Sequence, residues 1–279
     1  MERNSDNKNR GAGLPVYIGA FTVAALIFQS IAVLGSYDAN MHVYKNDSPF
    51  GTVAGIVMAI LAVILAVIAF VSAKGARPGA DEISKMTKAE TASSVMLGGF
   101  SLASSFLILF ETMNAKGSTQ IVSAITLALA LLSVPTAAYY IFSALDIIYG
   151  SAKKLMGLCP TLWSSVCLMR IYFDVGTAIN DPVRILFQVS FVFIMLALLF
   201  EEKMAVTGKG TTLFVVCAAL SVLLGISAAA SMIIVFFISS TKAIAPGEFL
   251  MAVCEIIACL YLLLRASSFV DANEQISEE

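Results

Sequence analysis

The chain has 279 residues, 59% of them hydrophobic and only 13% charged, with a formal net charge of −2. An average soluble domain is roughly 45–50% apolar and about 25% charged, so this chain has too little polar surface to coat a globule. The charge balance and the lack of a Cys/His module exclude a basic nucleic-acid-binding domain.

Residues 1–14 are polar and carry Arg3, Lys8 and Arg10; Val16–Ser36 is the first apolar run. It is longer than the roughly 7–15-residue core of a signal peptide and no clear small-x-small cleavage site follows, so a retained span is expected. The loop 37–48 holds His42, the chain's one histidine. Phe50–Ala73, Ser93–Met113 and Thr119–Tyr149 are the next runs. At about 1.5 Å per residue the last exceeds a hydrocarbon core of about 30 Å, so it should tilt, kink at Pro135 or project beyond the lipid.

Cys159–Ala178 is ambiguous, because Arg170 and Asp174 each cost about 2.5–3.5 kcal/mol on an insertion scale when unpaired. Clear runs follow at Val183–Glu201, Thr211–Ser240 and Pro246–Arg265, then an acidic tail. Period-two alternation is missing, which disfavours barrel strands. The fold class is therefore an all-α polytopic transmembrane bundle of eight spans, or seven if Cys159–Ala178 lies along the inner surface. It divides into a polar segment 1–14, one transmembrane domain 15–266 and an acidic tail 267–279.

Lysine and arginine set the orientation. With eight spans and the N-terminus inside, the inner segments hold Arg3, Lys8, Arg10, Lys74, Arg77, Lys85, Lys88, Lys153, Lys154, Lys203, Lys209 and Arg265, twelve in all. The outer segments hold four, Lys45, Lys116, Arg184 and Lys242, with Arg170 in the membrane. A seven-span chain gives twelve against five, so the N-terminus is inside either way.

Two hairpins read alike. Leu109-Phe110-Glu111, Lys116-Gly117-Ser118-Thr119 and Leu131-Leu132 correspond to Leu199-Phe200-Glu201, Lys209-Gly210-Thr211-Thr212 and Leu223-Leu224, at offsets of 90, 93 and 92. A possible internal repeat follows; with eight spans its units are inverted, an arrangement common in secondary transporters.

Trp163, Arg170 and Asp174 are seven and four residues apart, so a helix through them places all three on nearly one face. One reading is a ligand-binding face turned to a cavity, with Arg170 as charged donor and Trp163 as amphipathic wall. The other is an Arg170–Asp174 pair that fixes packing, or an interfacial helix. Glu255, near the middle of the last span, is the fourth candidate: a protonatable site, or a neutral structural glutamate bonded across helices unless it meets a cation such as Arg170. Glu111 and Glu201 end their runs and are expected at the membrane boundary, with Asp146 also at an interface. Asn180-Asp181-Pro182 has the form of a helix start. Ser221, Gly225 and Ala229, and Gly99 with Ala103, recur every four residues and should mark close-packed faces.

One histidine on a loop supplies no His-bearing protease site, bis-histidine haem or multi-histidine metal centre, and Cys159, Cys167, Cys217, Cys254 and Cys259 show no metal-binding spacing. Glu201-Glu202 resembles the glutamate pair of intramembrane CAAX-type proteases, without the arginine and later histidines such a site needs. No enzyme and no cofactor are expected, with carboxylate-only lipid chemistry as the exception. The segment Pro160-x-x-Trp163 with Arg170 and Phe173, followed by a helix ending in Leu199-Phe200 and a Lys-Gly turn, resembles uncharacterised multi-pass membrane proteins of clostridia-like Firmicutes. The resemblance covers the C-terminal half and implies a bacterial cytoplasmic (inner) membrane location, with no activity attached. The functional expectation is a small-molecule permease or substrate-binding membrane subunit; the alternative is a sensor or scaffold subunit of a membrane complex. Partners are membrane lipid, a small-molecule ligand, and a second copy or another membrane subunit, with no nucleic acid.

Overall fold

The computed structural model describes residues 5–38, 41, 43–45, 49–76, 86–115, 119–148, 150–173, 181–239 and 244–276. Their helices are α1 (Ser5–Ser36), α2 (Phe50–Ser72), α3 (Lys88–Asn114), α4 (Gln120–Ala144), α5 (Gly150–Met156), α6 (Leu158–Phe173), α7 (Pro182–Thr207), α8 (Thr211–Ile238) and α9 (Pro246–Ile276). Between α1 and α2, β1 (Tyr37–Asp38) and β2 (Val43–Tyr44) form a short antiparallel hairpin that pairs Tyr37 with Tyr44. Among the described residues, eight segments are long and apolar enough to cross a membrane, Gly150–Phe173 among them, so the chain is a polytopic helical bundle with eight such spans.

Local chemistry sets the helix ends. Thr87 and Glu90 form a capping box, which starts α3 five residues before the apolar run begins. Asp181 Oδ1 accepts from the Val183 N–H at 2.9 Å, and Pro182 occupies the first turn of α7, as the sequence suggests for this start. Gly208 and Gly210 adopt φ of 67° and 114°, a left-handed conformation that turns α7 into α8 within three residues. The long fourth run does not stay helical to Tyr149: α4 stops at Ala144, and Asp146 turns the chain with φ 52°. Pro135 lies inside α4, where the neighbouring Ser133 hydroxyl donates to Ala130 O at 2.7 Å.

Contacts at the two ends show the helices running alternately up and down. At the end where the chain begins, hereafter the near end, Thr212 at the start of α8 donates to Ala73 O after α2 at 3.0 Å. At the far end, Tyr37 after α1 donates to Asp181 before α7 at 3.0 Å, and Gly247 in the first turn of α9 donates to Glu111 in the last turn of α3. The doubtful sixth helix resolves in the same way. Gly157 before α6 abuts Glu202 near the end of α7, while Arg184 at the start of α7 donates to Ile171 O and Tyr172 O at the end of α6. α6 thus runs antiparallel to α7 through the bundle, as a span and not an interfacial helix.

Six of these helices close a ring in the order α3, α4, α6, α7, α8, α9 and back to α3. α1 and α2 pack as a hairpin outside it, against α8. Exchanging α3, α4 and α6 with α7, α8 and α9 leaves the ring order unchanged, and every helix exchanges with one of opposite direction. The two hairpins that read alike are therefore the first two helices of inverted three-helix units. Contacts far apart obey the same exchange. Glu111 meets Gly247 and Glu202 meets Gly157; the glycines are 90 residues apart and the glutamates 91. A side chain at either glycine would collide with the carboxylate, which explains the residue type at both.

α8 is the most enclosed span, with 78% of its membrane-length window buried against 22% for α2. Its Gly225 faces Cys259 and Glu255 of α9, as the small-residue stripe suggests, and a Cβ there would overlap Cys259 Sγ. Gly225→Val is expected to part α8 from α9 and to cost about 1–3 kcal/mol, read as a lower midpoint of thermal unfolding in detergent. The other stripe is one residue out of phase. Gly99 and Ala103 are exposed on the outer surface, and it is Gly98 whose Cβ position lies 3.1 Å from Ala137 O of α4.

Candidate functional site: a cavity on the ring axis

A cavity of about 60 Å³ lies in the far-end half of the ring. All six ring helices line it: Ile108 from α3, Leu129 from α4, Cys167 and Arg170 from α6, Arg184 and Phe187 from α7, Met232 and Val235 from α8, and Glu248 and Met251 from α9. Tyr37 and Asp181 complete the wall. The lining is mostly apolar, with its charges at the far-end rim.

Those charges differ in how firmly they are held. Arg184 is buried, and its guanidinium caps the C-terminus of α6. Asp181 is committed to the start of α7 and to the Tyr37 hydroxyl. Burial, then the Asp181 charge, pushes the Tyr37 hydroxyl well above the usual tyrosine range, so it remains a donor. Burial likewise raises Tyr44, which accepts from Gln29 at 3.1 Å. Arg170 is different: it meets Glu248 at 3.9 Å, and both side chains keep some exposure, 15% and 25%.

The four sequence candidates do not form one cluster. Arg170 lines the cavity. Trp163 is buried two turns along α6, where its indole N–H donates to Ser105 Oγ of α3 at 3.0 Å, so it is not a cavity wall. Glu255 lies beside Ser190 of α7, away from Arg170's partner Glu248 and outside the cavity lining. Asp174 lies outside the described residues, as do His42 and Asn180. Trp163 and Glu255 are nevertheless related. They are 92 residues apart, as are Cys167 and Cys259, and each ties the third helix of its unit to the first.

The hydrogen bonds of Glu255 define its chemistry. Ser190 Oγ is bonded to Glu255 Oε1 and lies 2.8 Å from Phe187 O. One hydroxyl proton serves one acceptor, so both contacts are satisfied together when a protonated Glu255 donates to Ser190 and Ser190 donates to Phe187 O. Glu255 Oε2 has no hydrogen-bond partner among the described residues.

Sequence reasoning missed the strongest polar cluster. Arg265 is not an interfacial residue at the end of the last span, because α9 continues to Ile276; Arg265 is 3% exposed. Its Nε is 3.0 Å from Glu201 Oε1, its Nη1 is 3.8 Å from Glu90 Oε2, and its guanidinium stacks 4.6 Å above Phe269. Tyr261 donates to Glu201 at 2.7 Å and Ser268 to Glu90 at 2.6 Å. Glu201 is thus a buried ion-pair partner, not a solvated boundary residue. Above it, Tyr140 and Tyr261 meet edge to face with centroids 5.6 Å apart. This ionic and aromatic layer joins α3, α4, α7 and α9 at the near end. The Thr87-x-x-Glu90 box was the available signal: it places Glu90 inside a helix, where a buried carboxylate needs a cation.

A second hollow, about 460 Å³ and open on the outer surface, lies between α2 and α7. Gly51, Gly55 and Ala59 leave space on one side, and Val189 and Phe193 form the other. Among the described residues, no group of three or more His, Cys, Asp or Glu side chains is placed to hold a metal ion.

Fold and cavity together define an eight-span membrane protein with a ring of two inverted three-helix units. Comparison with known proteins returns no matching family model, no matching curated protein and no matching solved structure.

Proposed function

We propose that the protein is a small-molecule permease of a bacterial cytoplasmic membrane, working by alternating exposure of the ring axis. The observation that carries this reading is a cavity lined by both inverted units, set in one half of the ring, with a buried ionic and aromatic layer across the other half. An inverted pair of units has two arrangements related by the pseudo-two-fold axis in the membrane plane, and exchanging them would move the opening from one end to the other. Among the described residues the near end carries nine lysines and arginines and the far end three, which supports the near end as the cytoplasmic end, with the N-terminus inside. Membrane lipid surrounds the exposed apolar faces. A non-transporting sensor or scaffold subunit is the second reading, favoured by exposed Gly99 and Ala103, a contact face for another helix or a second copy.

The two readings part at Met251, which faces the cavity toward its near-end side. In a variant with the five native cysteines replaced, Met251→Cys should be labelled by an impermeant thiol reagent from both faces of the membrane. Labelling from the far-end face alone would remove the permease reading and leave the scaffold.

A further inference from the structure

We infer that the hollow between α2 and α7 binds a phospholipid of the far-end leaflet, which lays one acyl chain along it and sets the ester carbonyl of that chain against the Tyr44 hydroxyl. The inference is independent of transport and needs only that the chain spans a membrane.

The hollow follows from how the outer hairpin packs. α2 lies on α1 and α8 and leaves α7 across a gap, whose floor is Leu224 of α8. Gly51 faces the Tyr44 ring, and a Cβ there would overlap it. Gly55 has no such reason within the chain, because a Cβ at that position would meet nothing within 4 Å. In water an opening of this kind fills with solvent. The hydrocarbon core holds none, and an unfilled space forfeits dispersion contacts along its whole lining. A hollow of about 460 Å³, within the range of about 300–1,000 Å³ usual for ligand sites, therefore takes up hydrocarbon.

Depth decides which hydrocarbon. The lining runs from Gly51 to Ala62 on α2 and from Pro182 to Phe193 on α7, eleven positions on each. At about 1.5 Å per residue this is about 16 Å, half of a hydrocarbon core of about 30 Å. Both stretches begin at the far end, so the hollow stops near the midplane. A spanning helix from a second copy needs the depth of about 20 residues; a chain from one leaflet needs half of that.

The polar groups lie toward the far end. Gln29 is buried, and its Nε2 donates to the Tyr44 hydroxyl at 3.1 Å; both residues line the hollow. A hydroxyl that accepts still has its own proton to give, and among the described residues no acceptor takes it. The other lining side chains are apolar. An ester carbonyl at the head of an acyl chain supplies the acceptor at that level. A helix, with its backbone bonded internally, does not.

The test is photolabelling of the full-length protein in phosphatidylethanolamine vesicles that contain a small fraction of the same lipid with a diazirine at the middle of one ester-linked chain. Adducts are mapped by peptide mass spectrometry. Residues 55–62 and 185–193 should carry at least fivefold more adduct per residue than Phe106 and Phe110, which are exposed in the same half of α3. Replacing the bulk lipid by its diether analogue should raise the adduct in the hollow at least threefold, since the probe alone then offers a carbonyl, and Tyr44→Phe should abolish that rise. Gly55→Leu with Ala59→Leu should fill the hollow, lowering the adduct on 185–193 at least fivefold and leaving that on α3 unchanged. Equal labelling of the hollow and α3 overturns the inference and leaves an ordinary lipid boundary. A diether lipid without effect on the wild type overturns the ester contact. A disulfide-linked dimer through Gly55→Cys, in the background without native cysteines, overturns the inference in favour of a second copy. The wild-type map stands even if a variant fails to fold.

Discussion

Arg265→Met is expected to lower stability by about 3–5 kcal/mol, because it leaves two buried carboxylates without their shared cation. Glu90 and Glu201 both lie within 4 Å of the guanidinium, and all three side chains are buried. Methionine retains much of the packing along the stem and against Phe269, so the loss reports charge more than volume. Adding Glu201→Gln to Arg265→Met should recover part of it by removing one unmatched anion. Arg170→Gln gives the contrast. Its pair with Glu248 is long and partly solvated, so its loss should cost less than about 1 kcal/mol. Unfolding midpoints of the three variants in one detergent decide the matter; equal losses for Arg265→Met and Arg170→Gln would show that the near-end layer is not the buried network described.

The contrast also explains what the sequence could and could not disclose. Apolar run length marked seven spans and left Cys159–Ala178 undecided, where the structure has a span at Gly150–Phe173; phase errors arose where polarity and period disagreed. Gly99-x-x-x-Ala103 has the right spacing, yet Gly98 packs on α4, because the serines Ser94, Ser101 and Ser105 define the inward face and they are polar. Arg265 was misplaced because hydrophobicity falls at the end of a span whether the helix stops or continues. Here it continues, and the drop marks a buried ion pair. Arg170 was legible because a charge within an apolar run has no bland position. Its partner was not: Glu248 is 78 residues away in sequence, and only the closure of the ring sets α9 across from α6. The hairpin resemblance named two helices of each unit, whereas the third, α6 against α9, shares little beyond Gly157 with Gly247 and Cys167 with Cys259. Contact order and direction recover that correspondence where residue identity does not.

On the permease reading, with Glu255 as the protonatable site, Glu255→Gln should leave the fold intact and remove the dependence of transport on a proton gradient. The amide is nearly the same shape as a protonated carboxyl, and its NH₂ can donate to Ser190 Oγ while Ser190 donates to Phe187 O. The stability change should therefore be below about 1 kcal/mol. What the amide cannot do is release a proton. The groups around Glu255 include Ser190, Gly225 and the thiols of Cys167, Cys254 and Cys259, with no basic side chain bonded to it among the described residues. Were Glu255 to lose its proton, Ser190 would have to turn its hydroxyl from Phe187 O to the carboxylate, altering the contact between α7 and α9. Those helices belong to the same three-helix unit, so the proton state of Glu255 bears on the shape of the unit and not on the cavity wall directly. On the permease reading, uptake by the wild type in proteoliposomes should rise with an inward proton gradient. Glu255→Gln should show none of that rise while still exchanging substrate across the membrane without a gradient. Unchanged stimulation in the variant would assign coupling elsewhere and leave Glu255 as a structural acid that bridges α7 and α9.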